Sequence, residues 1–139
     1  MRAARRERRL ALEVSRQLAA AREEATMHQV PRADQIELAE AIAAGAKRRP
    51  AQAFGEYFSD DGGSCALGAA YEGAYALPRD PHEAHSIRPR LHRLFDCLEN
   101  VRRRCPVGCN KRLPLNSIIL HLNDDHHWTR EQIVEWLKQ

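Results

Sequence analysis

Hydrophobic residues recur at helical spacing along most of the chain. Leu10, Val14 and Leu18 stand four apart, and Ala21 and Ala25 continue the stripe, so residues 1–26 read as a helix with a narrow apolar seam. Asp34 and Glu37, in capping-box spacing, predict the start of a second helix with Leu38, Ala39, Ile42, Ala43 and Ala46 on its buried face. Lys47, Arg48 and Arg49 suit the negative pole at its end, and Pro50 stops it. After a turn at residues 60–63, Ser64 is placed to cap a third helix, CALGAAYEGAYAL, with Leu67, Tyr71, Ala74 and Tyr75 along one face. Gly68 and Gly73 lower helix propensity there, which implies close approach of another backbone.

Pro78, Pro81 and Pro89 then predict a loop, which also carries His82 and His85. Leu91, Leu94, Phe95, Leu98 and Val101 follow in amphipathic spacing. The last helix opens on a capping box, Thr129 with Gln132, and Trp128 and Ile133 are placed for a hydrophobic staple. Ile133, Trp136 and Leu137 are its buried positions. A short β-hairpin is compatible with residues 53–64 or 105–115. The fold class is therefore mainly α: a single small helical domain over residues 27–139, with a zinc-finger-like element at 103–127 and a basic helical extension at 1–26.

Charge sharpens this division. The chain has 139 residues and a net charge of +3. Residues 1–26 hold seven Arg and four Glu, so the whole surplus lies in the extension. Met27 is also an alternative start, which would make residues 1–26 a translated upstream segment. Their seam offers a surface for self-association through residues 10–25, although it is too short to be a stable coiled coil alone. Residues 27–139 are balanced overall, but 88–112 carries eight basic and two acidic residues. No stretch approaches the roughly 20 apolar residues of a membrane span. Four cysteines are too few and too clustered for a secreted disulfide scaffold, which points to reduced thiols in the cytoplasm.

Two of those thiols fall in a metal-ligand pattern. Cys105 and Cys109, then His121 and His126, read C-x3-C-x11-H-x4-H. Zinc takes four such ligands at tetrahedral corners, and the Pro and Gly of CPVGC suit a sharp turn around an ion. His127 is an alternative fourth ligand at x5 spacing, and His126 is preferred because four residues keep it nearer the face of His121. Four protein ligands close a site, so a structural zinc is favoured over a catalytic one. Cys65 stands at a helix start, where a thiol pKa can fall, but its Ala and Leu neighbours point to a packed apolar setting. Cys97 is placed at the edge of the core. Asn123 and Asp124 read as turn formers between two helices.

With Leu113 four residues after the second Cys and Ile118 three before the first His, residues 103–127 resemble a two-Cys, two-His zinc finger. The central spacer is one residue shorter than usual, and Pro114 leaves little helix for base-reading side chains. Three further phrases, SCALGAAYEGA (64–74), SIILHLNDDHHW (117–128) and TREQIVEWL (129–137), resemble a set of small phage and bacterial proteins of uncharacterised function. That resemblance implies a mostly helical domain and no particular activity.

The expected function is a zinc-stabilised intracellular binding or adaptor protein with a protein or nucleic-acid partner. Arg102, Arg103, Arg104, Lys111 and Arg112 around the knuckle are its candidate contact residues. The alternatives are a nucleic-acid-binding protein using segment 88–112, and a small zinc-dependent or Cys–His enzyme. Against the enzyme stands the lack of any HExxH, GxSxG or phosphate-loop motif.

Overall fold

The computed structural model describes residues 8–17, 31–78 and 86–139. The chain divides into two compact units, Met1–Arg32 and Ala33–Gln139. In the first, residues 8–17 form helix α1, with Leu10, Leu12 and Val14 exposed. Leu18, Ala21, Ala25 and the expected boundary at Met27 lie outside the described residues, as do Pro81, His82 and His85.

The second unit holds the core. Its elements follow the order α2 (Pro31–Arg48, which begins at the unit boundary), α3 (Ala66–Ala76), α4 (Arg88–Asn100), β1 (Arg102–Arg104), β2 (Arg112–Pro114), α5 (Leu115–Asp124) and α6 (Arg130–Lys138). The protein is mainly helical, with one two-stranded antiparallel hairpin. α5 occupies the centre. It packs against α3, α4, α6 and both strands, and its Leu115, Ile118, Ile119 and Leu122 are wholly buried. The hairpin pairs Arg102 with Pro114, Arg103 with Leu113 and Arg104 with Arg112. Its second strand lies within the predicted 105–115 range and its first just before it, because residues 105–111 form the turn. In the other predicted range, isolated bridges join Ser64 to Gln52 and Phe58.

Several helix starts and faces differ from the sequence expectation. α2 begins at Pro31, three residues early, since proline's missing N–H costs nothing in a first turn. Asp34 lies inside that turn. α3 is capped by Cys65, whose Sγ accepts from the Gly68 N–H at 3.4 Å, and not by Ser64. Ser64 instead exchanges backbone hydrogen bonds with Ala51 and Ala53. On α4 the buried stripe is Leu94, Cys97, Leu98 and Val101, while Phe95 is 42% exposed. Counting Cys97 as a hydrophobe turns the helix by one position. Tyr75 is likewise exposed on α3.

α2 and α3 cross at glycine. A Cβ on Gly73 would lie 1.6 Å from the Ala41 carbonyl oxygen, and one on Gly45 would lie 1.8 Å from that of Ala69. Gly73→Ala should gain about 1 kcal/mol of helix propensity. It must also push two backbones apart, so a net loss of about 3 kcal/mol is expected in urea unfolding. A variant as stable as the parent would show that the helices can separate freely.

Buried polar groups fasten the loops to this core. Arg90 on α4 donates to the carbonyls of Ala74 (2.9 Å), Leu77 (3.1 Å) and Pro78 (2.6 Å), at the end of α3. Arg130 does the same just beyond α2, donating to Arg49 (2.6 Å), Pro50 (2.7 Å) and the Ser64 hydroxyl (3.0 Å). A guanidinium satisfies the orphan carbonyls of a helix end and suits its negative pole. Burial lowers the Arg130 pKa.

Burial acts in the opposite direction on two thiols. Cys97 is pushed up to about 12, first by burial and then by Asp34, Asp96 and Glu37. Cys65 is raised, chiefly by burial. Neither is a thiolate at neutral pH. For Cys97 the folded value exceeds the unfolded one of about 8.5. The native state therefore keeps a proton that the unfolded chain loses, and stability should fall as pH rises from about 9 to 12. Alkylation at pH 8 should leave both residues unmodified until the chain unfolds. Rapid labelling of native Cys97, read by mass spectrometry, would contradict this burial.

Candidate metal centre

The hairpin and the end of α5 meet at four side chains. Cys105 follows β1, and its N–H donates to Lys111 O at 3.0 Å, while Lys111 N–H returns to Cys109 O at 2.8 Å. Gly108, at φ +91°, makes the left-handed step that lets the knuckle close. His121 projects from the last turn of α5. After Asp124 the helix unwinds, and the His126 N–H still bonds to His121 O at 3.2 Å, which carries its ring back over the same end.

The donor atoms of Cys105, Cys109, His121 and His126 all lie within 4.8 Å of one another, close enough to bind a metal ion. His126 Nε2 stands 3.3 Å from Cys109 Sγ, 3.5 Å from Cys105 Sγ and 3.0 Å from His121 Nε2. A tetrahedron with zinc bonds of about 2.0 Å to nitrogen and 2.3 Å to sulfur has edges of roughly 3.3–3.8 Å. The four donors, separated by 3.0 Å to 4.8 Å, bracket those edges, and two thiols with two imidazoles make a donor set for a metal ion. His127 is turned away. It adopts φ +53°, and its ring packs against Phe54 with centroids 4.8 Å apart.

Asp125 completes the arrangement. Its Oδ2 lies 2.6 Å from His121 Nδ1. That bond assigns the proton to Nδ1 and leaves the Nε2 lone pair facing the other three donors, the carboxylate–histidine relation common beside metals. The same hydrogen bond holds the Asp125 carboxyl below its ordinary value. Cys109 is raised by its partial burial and then by the neighbouring Cys105 thiol. A bound dication would oppose that shift and favour the thiolates. The spacing of Asp125, four after His121, is the sequence signal for this pairing.

Asn123 and Asp124 do more than turn the chain. Asn123 is wholly buried. Its Oδ1 accepts from Gln52 Nε2 (2.8 Å) and Ala66 N (3.1 Å), and its Nδ2 donates to Ala53 O (3.0 Å) and Asp124 Oδ1 (2.7 Å). Asp124 Oδ1 also accepts from Gly55 N at 3.0 Å. Gln52 donates in addition to Trp128 O and accepts from Arg130 N. Short-range turn chemistry is thus replaced by a long-range polar node joining the 51–66 segment, α5 and α6. The capping box at Thr129 forms as expected.

Of the five basic residues proposed as a contact surface, four are exposed: Arg102, Arg104, Lys111 and Arg112. Arg103 is not among them. Alternation along β1 turns it inward, where its guanidinium stacks 4.0 Å over Trp136 and donates to Gln35 Oε1 and Trp136 O, both at 3.2 Å. Burial lowers its pKa. Among the described residues no helix is long and apolar enough to cross a membrane. Comparison with protein-family profiles, curated proteins and solved structures finds no match.

Proposed function

We propose that this protein is a zinc-stabilised binding module, with Zn2+ held by Cys105, Cys109, His121 and His126 in a structural role. The convergence of four donors from the hairpin turn and the end of α5 within 4.8 Å carries this reading. Two thiols and two imidazoles use all four tetrahedral positions and leave none for a reacting water. The metal would tie the knuckle after β1 to the end of α5, and Asp125 would hold the His121 ring in register.

A binding role is favoured over a Cys–His enzyme by the state of the other thiols. Cys65, the residue placed at a helix start, is buried with a raised pKa and serves as a cap. The thiolate chemistry of a reducing cytoplasm suits the site. The phrases that resemble small phage and bacterial proteins fall on α3, on the Asn123 node and on the Thr129 cap, so any such kinship would be one of architecture. Elemental analysis of purified protein should find one zinc per chain, lost in Cys105→Ser and in His121→Ala and retained in His127→Ala. Protein without zinc after growth and purification in its presence would refute the proposal.

A further inference from the structure

Aromatic residues are scarce in this chain, with three Phe, three Tyr and two Trp, and five of these eight gather on the outer face of α3. Tyr71 and Tyr75 stand one turn apart on that helix. The ring of Tyr57 meets Tyr71 edge-on with centroids 6.0 Å apart, and Phe95 of α4 lies 5.7 Å from the same ring. Phe58 covers the turn before, since a Cβ on Gly68 would lie 3.3 Å from its Cε1. Tyr57 is nevertheless 47% exposed, Phe58 41%, Phe95 42% and Tyr75 59%, and Tyr71 is only half-buried. With roughly 150–250 Å² for each aromatic side chain, about 400 Å² of aromatic surface stays in water. A contiguous apolar patch of that extent marks an interaction site. The carboxylate within the face is already satisfied, because Glu72 pairs with Arg49 at 2.5 Å and with Arg48 at 3.6 Å. The Arg49 guanidinium also lies 5.0 Å over the Phe58 ring.

We propose that this aromatic face is a contact between two copies of the chain, related by a two-fold axis. Interface centres are rich in Tyr and Phe and poor in charge. The partner must therefore be apolar at its own centre, and with Glu72 already paired it need bring no cation there. Glu56 beside Tyr57 is exposed, and Glu99 lies near enough to Tyr71 to add to the rise that burial, Tyr57 and Cys65 impose on its hydroxyl pKa. Two carboxylates at the rim oppose an anionic partner, whether nucleic acid or an acidic membrane surface. A second copy meets the requirement directly. Aromatic rings attract edge to face, and a two-fold axis sets the ring edges of each copy against the ring faces of the other in one self-complementary contact. The size agrees as well. A standard interface covers about 800 Å² on each partner, which an aromatic core of about 400 Å² reaches with a polar rim of similar extent. The face shares no residue with the four metal donors, so the inference stands apart from the zinc reading.

Sedimentation equilibrium of the full chain, from about 1 to about 100 µM, tests this. The parent should associate to a particle of twice the chain mass, with little change between about 50 and 500 mM salt, because the contact is apolar and not ionic. The double variant Tyr75→Glu, Phe95→Glu should stay monomeric throughout, since it sets two carboxylates from each copy against their symmetry mates. Both positions are exposed, so at the lowest concentration its melting temperature should match that of the parent within about 5 °C. Should the double variant unfold, Tyr75→Ala alone should weaken the dimer at least about tenfold. Leu10→Glu, on the seam of α1, should leave the dimer intact and so separates this face from self-association through the N-terminal helix. A parent that remains monomeric at about 100 µM, association undiminished in the double variant or in Tyr75→Ala, or a dimer that Leu10→Glu dissolves would each overturn the inference.

Discussion

Stripping zinc from the loaded protein, or replacing Cys105 by Ser, is expected to lower its melting temperature by more than about 15 °C. Structural zinc supplies on the order of 10–16 kcal/mol in small zinc-folded peptides, comparable with the whole stability of a domain. Part of that binding energy would be offset here, because α5 already has a core to pack against. A net loss of only about 4 kcal/mol still corresponds to a shift of that size in a domain near 100 residues. The damage should be local first. A hairpin with three residues in each strand is marginal without support, and its turn contains both cysteine ligands. Loss of the metal frees the knuckle, and with it the stacking of Arg103 on Trp136. Circular-dichroism melts with and without a strong chelator measure the effect, and alkylation reports its location. Cys105 and Cys109 should become reactive on chelation while Cys65 and Cys97 stay protected. Identical melts in loaded and chelated protein would falsify a structural role.

Asn123→Asp is expected to cost about 4 kcal/mol although it changes side-chain volume very little. The Asn123 amide satisfies four partners in a site without solvent exposure. Aspartate replaces the Nδ2 donor with an oxygen that faces the Ala53 carbonyl and the Asp124 carboxylate, both acceptors. A buried charge beside two acceptors and without a cationic partner incurs the full desolvation penalty, typically 3–5 kcal/mol. Asn123→Ala should cost less per group removed but would leave Ala66 N and Ala53 O with unmade bonds in a buried space. Urea unfolding followed by tryptophan fluorescence suits the measurement, since Trp128 accepts from the same Gln52 that reaches Asn123. An Asp variant within about 1 kcal/mol of the parent would show that the node is not held closed.

The two predictions rest on residues with very different visibility in the sequence. Cys105, Cys109, His121 and His126 form a spacing pattern because a knuckle and one helix end place all four ligands within a short stretch of chain. The Thr129 cap and the α5–α6 hydrophobic faces are equally local, and helix geometry turns their spacing directly into position. The choice of His126 over His127 was not local. It depends on the left-handed step at His127, which sends that ring toward Phe54. Arg103 was indistinguishable from Arg102 and Arg104 in a run of three, and only the pairing register decided which one faces Trp136.

Asn123, Gln52, Arg90 and Arg130 mark the opposite limit. Apart from the Asn123–Asp124 bond, their partners lie 12 to 81 residues away, and no period or motif links an asparagine to a carbonyl on another segment. The sequence by itself determined the helical class, the helix faces to within one position, two candidate hairpin ranges and three of the donors with two adjacent candidates for the fourth, because each follows from contacts within a few residues. The tertiary structure alone decided which polar groups are buried and what satisfies them, where glycines allow α2 and α3 to touch, and which cations stay on the surface. Those outcomes depend on which segments are brought together, and burial converts each unmade hydrogen bond or unpaired charge into a cost that only the right partner removes.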